Sequence, residues 1–258
     1  MTPWTTLVPG RPRIAVASAG RGPLVLFLHG IGGNHNHWQH QIAFFSQHGF
    51  TAAAWDARGY GDSDDYEGAL QFEDFTSDLA RVLDHLGSEK ADLVGLSMGG
   101  RIARNFALAH PDRVHTLTLA NTSPGFDALS PEEVLRFVEE REHRSAESAA
   151  RLLSSRARPG AHAALLASFH ALRNDSYRKT LEASVAQDRA APLEKLAVPT
   201  LVITGDDDRV YPPELAERMA RRIPGAQLVV IADCGHLSNL EQPERFNEVL
   251  LDFLQQQK

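Results

Sequence analysis

Scarcity is informative in this chain. A single cysteine, Cys234, among 258 residues excludes an intrachain disulfide and any cysteine-rich metal cluster, so packing alone must hold the fold. Cys234 itself reads as a small buried apolar residue rather than a reactive thiol. Long apolar runs are missing too: Leu24–Leu28 stops after five residues, whereas a membrane span needs about 20, and no membrane role is expected. The start, Met1-Thr2-Pro3-Trp4, lacks the basic residues and apolar stretch of a signal peptide, which makes a cytoplasmic location the expectation. Lys and Arg number 26 against 33 Asp and Glu, a net charge of -7. No basic surplus exists to displace counterions from phosphates, and no nucleic-acid partner is expected.

Apolar residues are plentiful, at 43%, enough for one sizeable core at the upper edge of single-domain length. Short β-rich runs alternate with longer helical patterns, which predicts a mostly parallel sheet with helices on both faces. The strand candidates are Leu24–Leu28, Thr51–Trp55, Ala91–Leu96, Val114–Ala120, Thr200–Thr204 and Gln227–Ile231. Thr5–Val8 and Arg13–Ala19 add an edge hairpin, for eight strands in all. Helices are expected over His37–Gln47, Phe72–Leu86, Gly100–Ala109, Pro213–Ile223 and Pro243–Gln256. Between Asn121 and Pro192 the alternation stops and the sequence reads helical. Ser130-Pro131-Glu132-Glu133 is a capping-box start, Glu140 and Arg144 are an i,i+4 pair, and Ala161–Leu172 is a further helix. Arg156–Gly160 is expected to be a flexible bend. The domain reading is therefore a core of residues 1–121 and 193–258 and a helical cap of residues 122–192, inserted after the sixth strand and lying over the strands' C-terminal ends.

Gly95-Leu96-Ser97-Met98-Gly99 carries the chemistry. It sits straight after a strand-like run and straight before a helix-like one, the setting in which Gly-x-Ser-x-Gly becomes a tight turn that presents a strained, outward-pointing serine. A serine is a weak nucleophile without a base, and the base needs an orienting acid. His236, in Asp233-Cys234-Gly235-His236-Leu237 between the last strand and last helix, is placed to be that base. The acid should follow an earlier strand, where Asp206, Asp207 and Asp208 stand in a row and spacing alone does not choose among them. Three consecutive acids lack the alternate spacing of a calcium loop, so no metal is expected there.

Two backbone amides should hold the oxyanion, that of Met98 and that of Ile31 in His29-Gly30-Ile31-Gly32-Gly33. Trp38 and Trp55 read first as packing residues. His29, Gly30, Trp38 and Leu237 are the positions beside the site from which substrate contacts are expected. His35, His37 and His40 are dense in imidazole but have no carboxylate or cysteine alongside in sequence, so exposed histidines are expected rather than a metal site. Asp56-Ala57-Arg58-Gly59-Tyr60-Gly61-Asp62-Ser63 reads as a turn bracing the first loop, with Arg58 within reach of the pocket.

These motifs, with Gly205-x-x-Asp208-x-x-x-Pro212, resemble the α/β-hydrolase family over essentially the whole chain. The resemblance implies the α/β-hydrolase fold, selects Asp208 as the acid, and leaves Asn121, which stands where some members carry theirs, unable to serve. Gly95-Leu96-Ser97-Met98-Gly99-Gly100, Leu119-Ala120-Asn121-Thr122 and Gly235-His236-Leu237-Ser238-Asn239-Leu240-Glu241 look most like the 3-oxoadipate enol-lactonase and small carboxylesterase branch. Haloalkane dehalogenases and epoxide hydrolases use aspartate where Ser97 stands. Meta-cleavage-product C–C hydrolases share the serine, but their Gly-Pro-Gly loop is replaced here by Gly32-Gly33-Asn34. The implied activity is hydrolysis of a carboxylic ester or enol-lactone through an acyl-enzyme on Ser97, without cofactor or metal. C–C bond hydrolysis and ligand binding without catalysis are the alternatives. The partner would be a small-molecule ester or lactone; self-association is left open. An enol-lactone of this kind carries a carboxylate, so a basic residue should face the pocket. Nine cap arginines, Arg136 to Arg189, are available and most read as surface pairs.

Overall fold

The alternation in the sequence resolves into one eight-stranded sheet in the computed structural model, which describes residues 4–126, 130–142 and 151–257. The strands are β1 (Trp4–Val8), β2 (Ile14–Gly20), β3 (Leu24–Leu28), β4 (Thr51–Trp55), β5 (Ala91–Leu96), β6 (Val114–Ala120), β7 (Thr200–Gly205) and β8 (Gln227–Ile231). Their order is β1-β2-β4-β3-β5-β6-β7-β8. β1 and β2 pair antiparallel, as does β2 with β4, and every other pairing is parallel. This is the α/β-hydrolase fold.

β3 explains why both faces need cover. Leu24, Leu26 and Leu28 enter one core and Val25 and Phe27 the other, the period-two alternation of a strand buried on both sides. On the first face lie α2 (Glu73–His85), α3 (Met98–Ala109) and α7 (Pro213–Arg222), through residues such as Leu79, Ile102 and Met219. On the second lie α1 (Gln39–Gln47) and α9 (Pro243–Gln255), through Ile42, Phe45, Phe246 and Leu250. A short α8 (Ser238–Glu241) precedes α9. Pro213 and Pro243 stand at first helical positions, where the missing N–H has no acceptor to lose.

Between β6 and β7 run α4 (Pro131–Glu142), α5 (Pro159–His170) and α6 (Asn174–Ala186). Ser130 and Glu133 close the expected capping box: the Ser130 amide donates to Glu133 Oε2 at 2.7 Å, and the Glu133 amide to Ser130 Oγ at 3.3 Å. Val138, Tyr177 and Leu181 pack α4 against α6. The expected bend over Arg156–Gly160 is shorter than its sequence bounds: a turn at Ser155 and Arg156 leads into α5, whose first turn holds Pro159 and Gly160, where a proline's fixed φ is already helical. The Glu140–Arg144 pair lies outside the described residues.

The chain leaves β3 toward β4 on one side and later returns to β5 on the other. The crevice between the C-terminal ends of β3 and β5 is thus the topological switch point, where open α/β sheets bind ligands.

Candidate active site

Ser97 is the residue that follows β5 into that crevice. It takes φ 54° and ψ -116°, a left-handed conformation that a side chain adopts only under constraint, on the order of 1–3 kcal/mol. The constraint is visible. The Ser97 amide donates to Ala120 O at 2.9 Å, while Ser97 O accepts from Gly100 N, Arg101 N and, at 2.6 Å, Thr122 Oγ1. A β-carbon at Gly95 would run into the Gly99 carbonyl, one at Gly99 into the Leu28 carbonyl, and one at Gly100 into the Thr122 side chain. The glycines of the motif are therefore required by close approach of backbone on three sides. α3 starts at Met98, two residues earlier than the sequence suggests, so Ser97 caps the helix whose positive end faces the crevice.

His236 and Asp208 come together at the same rim. Asp208 is 3% exposed and holds His236 Nδ1 at 3.1 and 3.0 Å from its two oxygens. The Val210 and Tyr211 amides donate to its Oδ1, each at 2.9 Å, and Asn121 Nδ2 donates to its Oδ2 at 3.0 Å. Burial pushes this carboxyl up, but the His236 ring beside it, the Tyr211 amide and Asn121 outweigh burial and hold it below the usual carboxylate range. Of the three consecutive acids only Asp208 meets His236; Asp207 pairs with Arg209, and Asp206 accepts from the Cys234 amide.

The loop carrying His236 is tied down by a residue that local spacing does not single out. Glu241, 1% exposed, accepts from the Gly235 amide at 3.1 Å and the Leu237 amide at 3.3 Å with one oxygen, and from the Ser154 amide at 2.8 Å with the other. The His236 amide donates to Leu152 O at 2.9 Å. The imidazole loop and the insertion thus share hydrogen bonds directly. Asn121 is the second residue missed: besides Asp208 it donates to Gly235 O at 3.1 Å and accepts from Ser238 Oγ at 2.5 Å. Its signal in sequence is its place at the end of β6, beside the elbow.

The loop after β3 completes the crevice. Gly32, with φ 85°, turns it so that Gly30 approaches Ser97; a β-carbon at Gly30 would sit 3.1 Å from that of Ser97. The Met98 amide is in the first turn of α3 and has no acceptor within the helix, and among the described residues neither it nor the Ile31 amide donates to a backbone carbonyl elsewhere. Two of the expected substrate contacts need correction. His29 is 1% exposed and lies behind the cavity wall: the Ala57 amide donates to its Nε2 at 3.0 Å, which leaves the proton on Nδ1, donated to Gly30 O at 2.8 Å. Burial lowers its pKa, so it is a neutral brace for the loop. Trp38 is fully buried, stacked on Phe27 at 4.9 Å between ring centroids, and does not reach the cavity. Gly30 and Leu237 do line it, with Ile31.

The cavity above Ser97 has a volume of about 500 Å³ and is bounded by both the sheet-end loops and the insertion. Ser97 and His236 border it, as do Phe137, Phe169 and Leu181 from the insertion. Among the described residues, Arg101, Arg141, Arg151 and Arg209 border it against a single acid, Glu140. Arg101 stands on α3, outside the block of cap arginines that the sequence suggests as carboxylate binders. Arg58 does not reach the pocket; its guanidinium pairs with Asp78 at 2.6 Å. The turn it belongs to does brace the first loop, since Asp56 accepts from the His35 amide at 2.7 Å, His35 Nδ1 at 2.9 Å and the Asp62 amide at 2.8 Å. His35 and His37 are not exposed as expected: the first is half-buried on Asp56, and the second is 3% exposed, with burial holding it down to about 4. Cys234 is buried and its thiol pushed up by burial, which makes it inert. Among the described residues His35, Asp56 and Asp62 come close enough to share an ion, but three N–H groups already occupy the Asp56 oxygens. No described helix is long and apolar enough to cross a membrane.

Known proteins resemble this chain in sequence and fold. A family model described as the alpha/beta hydrolase fold matches residues 23–243. A 2-hydroxy-6-oxononadienedioate/2-hydroxy-6-oxononatrienedioate hydrolase of Paraburkholderia phymatum is 32% identical over 256 residues, covering 92% of this chain and 88% of that protein. 3-Oxoadipate enol-lactonase 2 of Acinetobacter baylyi is 28% identical, over 88% of this chain and 87% of its own length. Among solved structures, a thermophilic esterase from Thermogutta terrifontis with malate bound superposes with a TM-score of 0.88 at 31% identity, covering 100% of this chain and 99% of that one.

Proposed function

The chain belongs to the α/β-hydrolase family and is a hydrolase; on that premise we propose that it cleaves a carboxylic ester or lactone through an acyl-enzyme on Ser97. The observation that carries the reading is that two side chains from distant parts of the sequence line one cavity, and a third, buried, holds one of them. Ser97 and His236 border one cavity, and Asp208 accepts from His236 Nδ1 at 3.0 Å. With Nδ1 protonated and held there, Nε2 is the free lone pair that takes the Ser97 proton as Oγ attacks the carbonyl. The Met98 and Ile31 amides stabilise the resulting oxyanion. His236 returns the proton to the departing alkoxide or enolate, and water, activated by the same imidazole, frees the acid.

Likeness to an esterase and an enol-lactonase supports an ester or enol-lactone substrate, with a 3-oxoadipate enol-lactone-like compound the best single choice. A second reading, C–C bond hydrolysis, is favoured by the 32% identical relative. It asks more of the site, because a carbon must be protonated before the bond breaks, whereas the ester reading needs only the serine, imidazole, carboxylate and two amides. Turnover of an enol-lactone, a 4-nitrophenyl ester and a 2-hydroxy-6-oxo-dienoate by one purified sample separates them. The ester reading expects the first two to react at least a hundredfold faster than the third. The reverse order, or ester turnover that survives Ser97→Ala, overturns it.

A further inference from the structure

Arg101 is in the first turn of α3, its amide donating to Ser97 O at 3.2 Å. Its side chain is 2% exposed, and the residue borders the cavity above Ser97. Nη1 donates to Ser184 O at 2.7 Å and to Asp188 Oδ2 at 3.0 Å. The other oxygen of Asp188 is taken by Arg104 Nη2 at 2.6 Å and by Asn105 Nδ2 at 3.1 Å. Two buried guanidiniums therefore share one buried carboxylate, and a full positive charge is left over beside the cavity. Arg101 Nε has no hydrogen-bond partner although it is shielded from water. The Phe126 and Phe72 rings flank the guanidinium at 5.0 and 5.4 Å and shield it from water.

Stitching α3 to Ser184 and Asp188 accounts for Nη1 alone. It explains neither the surplus charge nor the orphaned Nε–H, both of which are costly to bury unless an anion arrives to match them. The other basic groups facing the cavity with defined partners are already matched, Arg141 by Glu140 and Arg209 by Asp207. Resting on the ester or lactone reading, we propose that Arg101 is the carboxylate subsite of this cavity, and that the substrate is an ester or lactone whose acyl part carries a free carboxylate. A guanidinium edge receives a carboxylate through parallel N–H bonds, a geometry that lysine does not reproduce. Ser97 and Arg101 line the same cavity, so a half-ester of a short diacid can present its ester carbonyl to Ser97 and its far carboxylate to Arg101.

The test uses 4-nitrophenyl glutarate, with its far carboxylate free, and the same compound methylated there. The wild-type kcat/KM is expected to favour the free acid at least tenfold, and Arg101→Gln to reduce that ratio at least tenfold, with Arg101→Lys restoring part of it. A wild-type ratio of one or less, or a ratio that Arg101→Gln leaves where it was, overturns the subsite. Binding gives a readout independent of turnover. Glutarate is expected to bind the wild type and Ser97→Ala alike by calorimetry, and at least tenfold more weakly to Arg101→Gln. If ester turnover survives Ser97→Ala while glutarate binding still depends on Arg101, the catalytic reading fails and the subsite stands. Should Arg101→Gln lack a cooperative melt, Arg101→Lys decides: a free-acid preference and a glutarate affinity each lowered at least threefold support the subsite, and wild-type values for both overturn it.

Discussion

Asn121 Nδ2 lies 3.0 Å from Asp208 Oδ2 and donates to it, from a position at the end of β6 where the backbone is held at φ 45°. An amide thus stands beside the carboxylate that orients His236. The same side chain bonds Gly235 O and Ser238 Oγ on either side of the imidazole. Asn121→Ala removes one donor to a buried charge, an interaction of about 1.5–3 kcal/mol. We expect kcat to fall by about ten- to a hundredfold with KM changed less than threefold, measured on a 4-nitrophenyl ester. An unchanged kcat would mean that the brace does not reach the imidazole.

Glu241 joins the His236 loop to the insertion by accepting from Ser154, Gly235 and Leu237. Glu241→Gln replaces one acceptor oxygen by a donor that faces an N–H, leaving a buried donor without a partner. The expected outcome is a loss of about 1–3 kcal/mol in urea unfolding together with reduced kcat. Stability lost without any change in kcat would separate the two roles.

Gly99 has no room for a side chain, because its β-carbon would overlap the Leu28 carbonyl. Gly99→Ala must push β3 away from the elbow and shift the loop that carries the Ile31 amide. A loss of about 2 kcal/mol or more is expected, with ester turnover down by at least a hundredfold, read by calorimetric melting and steady-state kinetics. A wild-type melting temperature would show that the approach is looser than described.

His37 is kept neutral by burial, down to about 4, whereas the unfolded chain takes up a proton near the ordinary value of about 6.5. The unfolded state therefore binds more protons between about pH 6.5 and 4, and stability falls as pH falls through that window. His29, also lowered by burial, acts in the same direction. Melting temperatures taken across this range are expected to drop less steeply for His37→Gln than for the wild type, with a residual slope from His29. Parallel curves would contradict the assignment.

Much of this was legible from residue order. The strand-to-helix turn at Ser97 and the eight strands are local patterns, set by period-two alternation and by glycines that backbone contact demands. Substrate contacts from His29 and Trp38 are not found in the fold, because sequence adjacency to a glycine loop does not say which way a ring packs. His29 faces Ala57 and Trp38 faces Phe27, partners that only the folded sheet supplies. Arg101 and Asn121 escaped for a related reason. Each acquires its meaning from Asp188 or Asp208, 87 residues further along the chain, and no spacing rule reaches that far. In sequence Asn121 stands only where an acid is absent; in the fold it is a donor to the acid that is present.

In the proposed mechanism Ser97 is made nucleophilic by an imidazole brought to it from the far end of the chain. Intact-mass and peptide-mapping analysis after treatment with a fluorophosphonate tests it most directly. One adduct per chain on Ser97 is predicted, absent in Ser97→Ala and formed at least a thousandfold more slowly in His236→Ala. No adduct, an adduct on another residue, or an undiminished rate in His236→Ala would contradict it.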